Sequence, residues 1–529
     1  MNIKLTLPDN IIREYPAGTT LLEVSRDFAG NYQSPIVEGV FKGIGTDLQK
    51  PLTEDGSVDF IVRDTEEGMR VYVRSLLFLF LVAIKKLRPE VKIEARNSLG
   101  SALFCEITNG IVLSKYDLQA LEDYMKKLVA QAEPIVYQHI TKKEAEKLLR
   151  EREEEDRLEL LQSIPEDHLL TIYFLQDCGE YFFGPMLPDC SYLKLFELIS
   201  YENGIVINYP EPGAMEELDV FVDSPKLNKM FHEMEEWSTM LKCNTVAKLN
   251  SIIKAGYAKT IIQVAEALHE KKIAAIADEI TDKGKDVHLV LIAGPSSSGK
   301  TTFAQRLSIQ LVVNGIRPVP ISMDDYYKER LNTPRKADGS YVKIPKYNFR
   351  TGLREYRGRE LKLSDDAVLI VEGIHGLNER ISAVVPARNK LKVYISALTP
   401  MSLDDYNRIQ TTDMRLLRRL VRDSQFRSHD ALMTLKLWDD VRRGEEKYIF
   451  PFQEEADIIF NTTLVYEFAV LKKYAEPLLQ GVPETEAVYT NAQRLLDLLS
   501  HVTPLDKELI PQNSILREFV GGSAFKEAL

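Results

Sequence analysis

Residues 287–301 carry the sequence V-H-L-V-L-I-A-G-P-S-S-S-G-K-T, in which an apolar run leads into a loop of glycine and serine. The loop matches the pattern G-x-x-x-x-G-K-[ST] at every fixed position. Its eight residues are Gly294, Pro295, Ser296, Ser297, Ser298, Gly299, Lys300 and Thr301. Glycines let the backbone wrap around an anion at dihedral angles that a Cβ atom would hinder. The pattern therefore predicts a strand, a phosphate-binding loop and a helix, in that order.

The residues on either side of the loop agree with this prediction. Val287–Ala293 is a continuous apolar run, as expected for a buried strand. Phe303, Leu307 and Leu311 follow at positions i, i+4 and i+8, which predicts one buried helix face. Gly315 is suited to end that helix. We therefore interpret the loop as a nucleotide-binding site rather than a structural turn.

Further apolar segments predict a parallel sheet around this loop. The candidate strands are Val287–Ala293, Val319–Ser322, Ala367–Val371 and Leu391–Ile395. They are short and apolar, and helical patterns separate them, which is typical of a sheet covered on both faces. The C-terminal fold class is therefore a doubly wound α/β domain.

Five side chains near the loop are candidates for phosphoryl chemistry. Lys300 is expected to reach the β- and γ-phosphates of ATP, and the Thr301 hydroxyl to bind Mg²⁺. Glu372 ends the third candidate strand, where a carboxylate can hold Mg²⁺, although a strand-end cap is an alternative. Asp324 and its neighbour Asp325 follow the second strand at the edge where ligands bind. One of them could accept a proton from a substrate hydroxyl, and a turn or helix cap is the alternative.

A cluster of arginines lies further along the chain. Four of them recur at i, i+3, i+4 and i+7 and so share one helix face: Arg415, Arg418, Arg419 and Arg422. A row of guanidinium groups can clamp a polyphosphate and stabilise its charge during transfer. The alternative is a solvated face paired with Asp413 and Asp423.

Composition limits the remaining possibilities. The chain has 529 residues, which suggests about three domains, and its net charge of −12 provides no general attraction for nucleic acid. RNA binding is therefore disfavoured, although a local basic patch stays possible. Four cysteines without C-x-x-C spacing favour a reduced, cytoplasmic setting. The most apolar run, Leu76–Ile84, is far shorter than the ~20 residues that cross a bilayer, and no signal peptide is expected at Met1.

Taken in order, several motifs resemble the uridine kinases of the phosphoribulokinase/uridine kinase group. Besides the loop, they are S-M-D-D-Y-Y at 322–327, I-P-K-Y-N-F at 344–349, V-E-G-I at 371–374 and the arginine-rich segment 415–423. The resemblance implies ATP and Mg²⁺ as cofactors, Asp324 as general base and Glu372 as the Mg²⁺-associated acid. It implies lid roles for Arg415 and Arg418. It also implies substrate contacts for Tyr327, Tyr347 and Arg427. One departure is the short link between Gly339 and Ile344, where the family has a longer segment that helps to hold the ribose.

The N-terminal half resembles a different family. Residues 1–62 look like a TGS domain, a β-grasp module, and residues 66–209 look like the editing domain of threonyl-tRNA synthetase. The metal-binding H-x-x-x-H of that editing domain should fall where Arg74 and Phe78 stand. Neither side chain can serve as a normal zinc ligand, so we expect no deacylase activity.

These observations predict five segments. They are a TGS-like domain at 1–62, an editing-domain-like α+β region at 63–210, a helical linker at 211–285, a kinase-like domain at 286–480 and a helical extension at 481–529. The leading hypothesis is transfer of the ATP γ-phosphate to a small molecule, first the 5′-hydroxyl of uridine or cytidine. The alternatives are a kinase for another hydroxyl such as that of a sugar phosphate, and an ATP-binding regulatory or RNA-associated protein. A GTPase is disfavoured because no N-K-x-D motif follows Glu372. A homo-oligomer is possible.

Overall fold

The computed structural model describes residues 2–525 except 101, 153, 163, 165, 167–168, 214–216, 327–341, 344–345, 349–352, 356–359, 362–363 and 365–366. Tyr327 and most of the link from Gly339 to Ile344 therefore lie outside the described residues. Of Tyr347 only the backbone is described, in a short strand.

The first unit is a mixed five-stranded sheet with one short helix. Its elements are β1 (Asn2–Leu7), β2 (Ile11–Pro16), α1 (Leu21–Arg26), β3 (Ile36–Phe41), β4 (Ile44–Thr46) and β5 (Gly56–Val62). The strand order is β2-β1-β5-β3-β4. Alternate residues of β1 are buried, as the sequence predicted for a half-buried strand. Thr20 begins α1 with a capping box, because its side chain and that of Glu23 each accept the other residue's backbone N–H.

The second unit contains two antiparallel sheets around a long helix. Its elements are α2 (Glu66–Leu87), β6 (Ile93–Leu99), β7 (Ala102–Ile107), α3 (Lys115–Ala130), β8 (Ile135–Thr141), α4 (Lys142–Glu151), α5 (Glu155–Leu161), β9 (Leu169–Leu175), β10 (Cys178–Tyr181), β11 (Glu197–Tyr201) and β12 (Gly204–Asn208). The strand orders are β11-β12-β7-β6 and β10-β9-β8. The apolar run Leu76–Ile84 lies in the C-terminal half of α2 and is buried. Among the described helices, none has both the length and the apolar character needed to cross a membrane.

The C-terminal unit alternates strands and helices. Its elements are α6 (Pro225–Met240), α7 (Val246–Lys254), α8 (Ala258–Asp282), β13 (Leu289–Ala293), α9 (Lys300–Val313), β14 (Arg317–Ser322), β15 (Val342–Lys343), β16 (Lys346–Asn348), β17 (Leu353–Glu355), β18 (Glu360–Leu361), β19 (Ala367–Glu372), α10 (Glu379–Ser382), β20 (Lys390–Ser396), α11 (Thr411–Phe426), α12 (Ala431–Lys436), α13 (Trp438–Tyr448), β21 (Ile458–Asn461), α14 (Glu467–Gln480), α15 (Tyr489–Ser500) and α16 (Arg517–Val520).

Five of these strands form one parallel sheet in the order β14-β19-β13-β20-β21. Both faces of the sheet are covered. Val290 and Ile292 of β13 face the main core, whereas Ala293 and Tyr394 belong to a smaller core with Ile449. This burial of both faces explains why the strands read as continuous apolar runs. The predicted doubly wound α/β fold is confirmed.

The predicted linker and extension are parts of this same core. Val246 of α7 and Ile262 of α8 are fully buried in the main cluster, together with Leu495 of α15 and Phe519 of α16. The segment predicted as a helical linker at 211–285 contains α6, α7 and α8, and its apolar side chains pack on the core of the C-terminal unit.

Candidate active site

The backbone of the glycine-rich loop has the shape that phosphate binding requires. The loop lies between β13 and α9, at the carboxyl end of the central strand. A Cβ atom on Gly294 would lie 1.9 Å from the carbonyl oxygen of Ile395, so no larger residue fits there. Gly299 and Ser297 have positive φ angles of 82° and 60°. Such left-handed residues turn successive N–H groups toward one concave side, which forms an anion-binding nest.

Two hydroxyl groups of the loop are buried without a partner. Ser297 and Ser298 are only 3% and 0% exposed, and within the described part of the chain neither Oγ atom forms a hydrogen bond. Buried polar groups are normally paired, so an unpaired group calls for an explanation. Phosphate oxygens would satisfy both hydroxyls, and the loop therefore fits a bound polyphosphate.

Lys300 at the start of α9 points back over the loop. Its Nζ donates to the carbonyl oxygens of Gly294 and Pro295, each at 2.9 Å. Burial lowers the pKa of Lys300, and the nearby carboxylates of Glu372 and Asp324 partly oppose this effect. The lysine thus lies at the loop, close to two acids, and its predicted contact with the phosphates remains a prediction.

Glu372 ends β19 beside the loop and is the central acid of the site. Its Oε1 accepts hydrogen bonds from Ser322 Oγ at 2.5 Å and from Thr301 Oγ1 at 3.4 Å. Glu372 is 6% exposed, and burial raises its pKa to about 7, with a further rise from Asp324 and an opposing effect of Lys300. A carboxylate and two hydroxyls are oxygen donors of the kind that Mg²⁺ prefers, so the set fits that ion.

Asp324 lies at the same edge of the sheet. It belongs to a short turn, Met323–Tyr326, that follows β14 directly, and β14 pairs with β19 so that Ser322 is level with Glu372. The charge of Asp324 raises the pKa of Lys300 and of Glu372. The parallel sheet has therefore brought the predicted base and the predicted Mg²⁺ acid together.

Arg427 lies within electrostatic range of Asp324. The pKa of Arg427 is lowered to about 10, mainly by burial. The positive charge of Arg422 also lowers it, whereas the carboxylates of Asp423 and Asp324 raise it. The Arg427 Nε lies 3.7 Å from Asp423 Oδ1. The substrate contact of Arg427 remains a prediction.

Arg415 and Arg419 of α11 contact the loop itself. The Arg415 Nε donates to the carbonyl oxygen of Ser296 at 3.1 Å, and its guanidinium pairs with Glu445 of α13. Glu445 in turn accepts the backbone N–H of Ser296 at 2.8 Å. The Arg419 Nη1 donates to Ser296 Oγ at 2.9 Å. These arginines fix the first half of the loop from the side of α11.

Arg418 does not lie where a phosphate clamp should be. It is 0% exposed, donates to the carbonyl oxygens of Thr462 and Ser297 at 2.9 and 3.3 Å, and pairs with Glu467. Because its guanidinium group is paired with these protein groups, Arg418 stabilises the loop through the Ser297 carbonyl oxygen. Its predicted lid role is therefore corrected to a structural one.

The alternative of a solvated arginine face is also wrong. Asp423 is 0% exposed and pairs with Arg419 and Arg422, the latter through bonds of 2.8 and 2.9 Å. Asp413 is 3% exposed and pairs with residues of other helices. The aspartates that looked like surface partners are buried, because α11 packs on several elements at once.

Two carboxylates at the loop were missed by sequence reasoning. Glu445 accepts the Ser296 N–H, as described above, and Glu518 of α16 accepts the Thr302 N–H at 3.1 Å and the Thr302 hydroxyl at 2.8 Å. They lie 149 and 216 positions away from the residues they contact. Glu518 lies in the segment N-S-I-L-R-E-F at 513–519, which is part of the resemblance to kinase-like proteins, but the sequence does not show that either acid reaches the loop.

At the two positions where the editing domain would have its metal-binding histidines, the side chains make ordinary contacts inside the protein. Arg74 donates to the Pro185 carbonyl oxygen, and Phe78 is 0% exposed with its ring 5.3 Å from that of Phe182. Among the described residues, no group of three or more His, Cys, Asp or Glu side chains is arranged to hold a metal ion.

Comparison with known proteins agrees with the two resemblances. The model of the "Phosphoribulokinase / Uridine kinase family" matches residues 332–467. The threonine–tRNA ligase of Bacillus velezensis is 30% identical over 201 residues, which cover 37% of this chain and 31% of that protein. The enzyme of Parabacteroides distasonis is 31% identical over 199 residues, with 37% and 30% covered. The chain thus combines a phosphoribulokinase/uridine kinase-like region with a threonyl-tRNA synthetase-like N-terminal region.

The extent of these matches is limited. The chain spans about a third of the length of the curated relatives it matches. A solved structure described as a putative fructose transport system kinase from Silicibacter sp. TM1040 covers 36% of this chain and 98% of that chain, at 15% identity and a TM-score of 0.24. A TM-score of this size supports no conclusion about function.

Proposed function

We propose that this chain is an ATP-dependent phosphotransferase that moves the γ-phosphate of ATP to a hydroxyl group of a small molecule. The observation that carries the proposal is the convergence of Lys300, Glu372 and Asp324 at one edge of the parallel sheet, beside the phosphate loop. Ligands of open α/β sheets bind at this carboxyl edge. Positioning and charge stabilisation supply most of the catalysis in phosphoryl transfer, and these residues are suited to both tasks.

Each residue has a distinct role in this proposal. The loop N–H groups and the hydroxyls of Ser297 and Ser298 hold the phosphates. The ammonium group of Lys300 moves from the loop carbonyls to the transferred group and stabilises its charge. Thr301 and Glu372 would hold Mg²⁺, which would neutralise phosphate charge.

Asp324 accepts the proton of the acceptor hydroxyl as its oxygen bonds to phosphorus. The bond between the γ-phosphorus and the bridging oxygen breaks, and ADP leaves. The proton that Asp324 takes is released to water after the phosphorylated product has formed.

For the acceptor we propose first the 5′-hydroxyl of uridine or cytidine. The support is the order of the kinase-like motifs and the matching family model over residues 332–467. Arg427 near Asp324 is suited to orient such an acceptor, and Tyr327 and Tyr347 are the proposed contacts to the nucleoside. We place the reaction in the cytoplasm, in keeping with four free cysteines.

The test is an ATP-consumption screen of the full chain against nucleosides, sugars and sugar phosphates. Product formation with uridine or cytidine is the expected result, and it should disappear in Lys300→Ala. The control is Lys271→Ala, which removes an exposed lysine from α8 and should keep full activity. Activity with a sugar phosphate but with no nucleoside would show that the acceptor is not uridine or cytidine. Absence of ATP turnover with every acceptor would contradict it.

A second candidate is an ATP-binding protein that associates with RNA and has little kinase activity. The N-terminal similarity to threonine–tRNA ligases favours it. Filter binding of tRNA at rising salt concentration distinguishes the two, because phosphate contacts make affinity fall steeply with salt. Tight, salt-dependent binding without ATP turnover would support this second candidate.

A further inference from the structure

Glu518 of α16 reaches the first turn of the helix that follows the phosphate loop. Its Oε2 accepts the backbone N–H of Thr302 at 3.1 Å and the Thr302 hydroxyl at 2.8 Å. Thr302 is the third residue of α9, which runs for 14 residues from Lys300. The N–H groups of the first turn have no partner inside the helix, and they carry the positive end of the helix dipole.

This contact places a carboxylate where an anionic ligand of the loop would bind. The loop and the first turn of its helix act together as the phosphate site in proteins with this motif. A bound nucleotide would bring several negative charges within a few ångströms of Glu518. Two like charges at such distances repel strongly inside a protein. The carboxylate and a phosphate cannot both occupy the Thr302 N–H.

The segment that carries Glu518 is held firmly by its neighbours. Ile515 and Phe519 are both 0% exposed. The Ile515 Cγ2 atom would lie 2.5 Å from a Cβ placed on Gly299, and the Arg418 guanidinium lies 5.0 Å from the centre of the Phe519 ring. Glu518 itself is only half-buried. The packing therefore anchors the segment, while the Glu518 side chain stays partly open to solvent.

We propose that Glu518 is an internal competitor of the nucleotide, an autoinhibitory carboxylate that must leave Thr302 before a phosphate can bind. This role rests on the proposed function, because it requires the loop to bind the phosphates of ATP. Without nucleotide, Glu518 caps α9 and keeps the loop in its folded shape. With nucleotide, the side chain turns away and the segment stays in place. Nucleotide affinity is therefore set partly by residues far from the motif.

The first test measures ligand affinity of the full chain by calorimetry. Glu518→Gln keeps the volume and removes the charge, and Glu518→Ala removes the side chain beyond Cβ. Both variants should bind ATP and inorganic tripolyphosphate about 10-fold more tightly than the wild type. Glu508→Gln is the matched control, because it removes an exposed acid from the same region of the chain and should leave both affinities unchanged. Equal or weaker binding by the Glu518 variants would overturn the proposal.

Tripolyphosphate separates this inference from the proposed function. If the Glu518 variants bind tripolyphosphate more tightly but no acceptor is ever phosphorylated, competition by Glu518 stands and the kinase function falls. If neither ATP nor tripolyphosphate binds to any of the proteins, both proposals fall.

A second test uses the wild type and so does not depend on how the variants fold. A crystal structure of the full chain with tripolyphosphate should have the Glu518 carboxylate beyond hydrogen-bonding distance of the Thr302 N–H. A phosphate bound in the loop with the contact between Glu518 and Thr302 intact would overturn the inference.

Discussion

Arg70 of α2 donates to both carboxylate oxygens of Asp413 in α11, at 2.9 and 3.1 Å, across 343 positions of sequence. Arg494 of α15 donates to the same two oxygens at 2.9 and 3.0 Å. Burial alone would raise the pKa of Asp413, but the two arginines lower it to about 2. Arg415, two residues further along α11, contacts the phosphate loop. The synthetase-like half is thus connected to the loop through α11.

Removing Arg70 should destabilise the whole chain. Breaking a buried ion pair costs about 3–5 kcal/mol, and Arg494 remains to compensate part of the Asp413 charge. We therefore expect Arg70→Ala to lower the free energy of unfolding by ~2–3 kcal/mol in denaturant titrations. Arg150→Ala is the control, because Arg150 forms an exposed pair with Glu146 and should change stability by less than ~1 kcal/mol. Equal effects of the two substitutions would show that the network adds nothing.

Asp324→Asn should slow catalysis without weakening ATP binding. The substitution removes the proposed base and its charge with almost no change in volume. General bases contribute about 10²–10⁴-fold, so kcat should fall by that factor. Steady-state kinetics with the acceptor found in the screen, together with ATP affinity by calorimetry, provides the measurement. An effect confined to Asp325→Asn would assign the base to the neighbouring acid.

Glu372 should make the stability of the ligand-free protein depend on pH. Its pKa is raised from 4.5 to about 7, so the folded state favours the neutral acid. This stabilising contribution is complete below pH 4.5 and is lost as the pH rises through 7. A rise of that size corresponds to ~3 kcal/mol.

The side chain of Glu372→Gln cannot titrate. The free energy of unfolding of the variant minus that of the wild type should therefore increase by ~3 kcal/mol as the pH rises from 4.5 to 8. Denaturant titrations at the two pH values measure the change. Glu279→Gln, at an exposed pair with Lys283, is the control and should show no such trend. A difference that does not vary with pH would contradict the raised pKa. Phosphoryl transfer should fall in Glu372→Gln at both pH values.

The N-terminal half should contain no zinc. Arg74 and Phe78 occupy the positions of the expected histidines, and both are engaged in packing or hydrogen bonds. Elemental analysis of the purified full chain should find well under one zinc per molecule. Stoichiometric zinc that survives dialysis against a chelator would disprove this prediction.

Local patterns predicted the phosphate loop and its surroundings well. The strand before the loop was expected at Val287–Ala293 and spans Leu289–Ala293, and α9 ends at Val313, just before Gly315. Asp324 and Glu372 could be placed together because parallel strands end at a common edge. The roles of Arg418 and Glu518 could not be predicted. Each depends on a partner brought close only by tertiary packing, and the spacing of arginines on a helix does not show whether that face is buried.

The packing of Ile515 and Phe519 against the loop has a consequence for biosynthesis. Chains generally fold domain by domain from the N-terminus as they leave the ribosome. The synthetase-like half can therefore fold early, but the phosphate loop, made more than 200 positions before Phe519, must wait for its last supports. A nascent chain that has passed the loop but not yet residue 519 lacks both the apolar cover of Gly299 and the cap on Thr302. The loop therefore reaches its final packing only after residue 519 has been made, so the C-terminal unit completes its core later than the synthetase-like half.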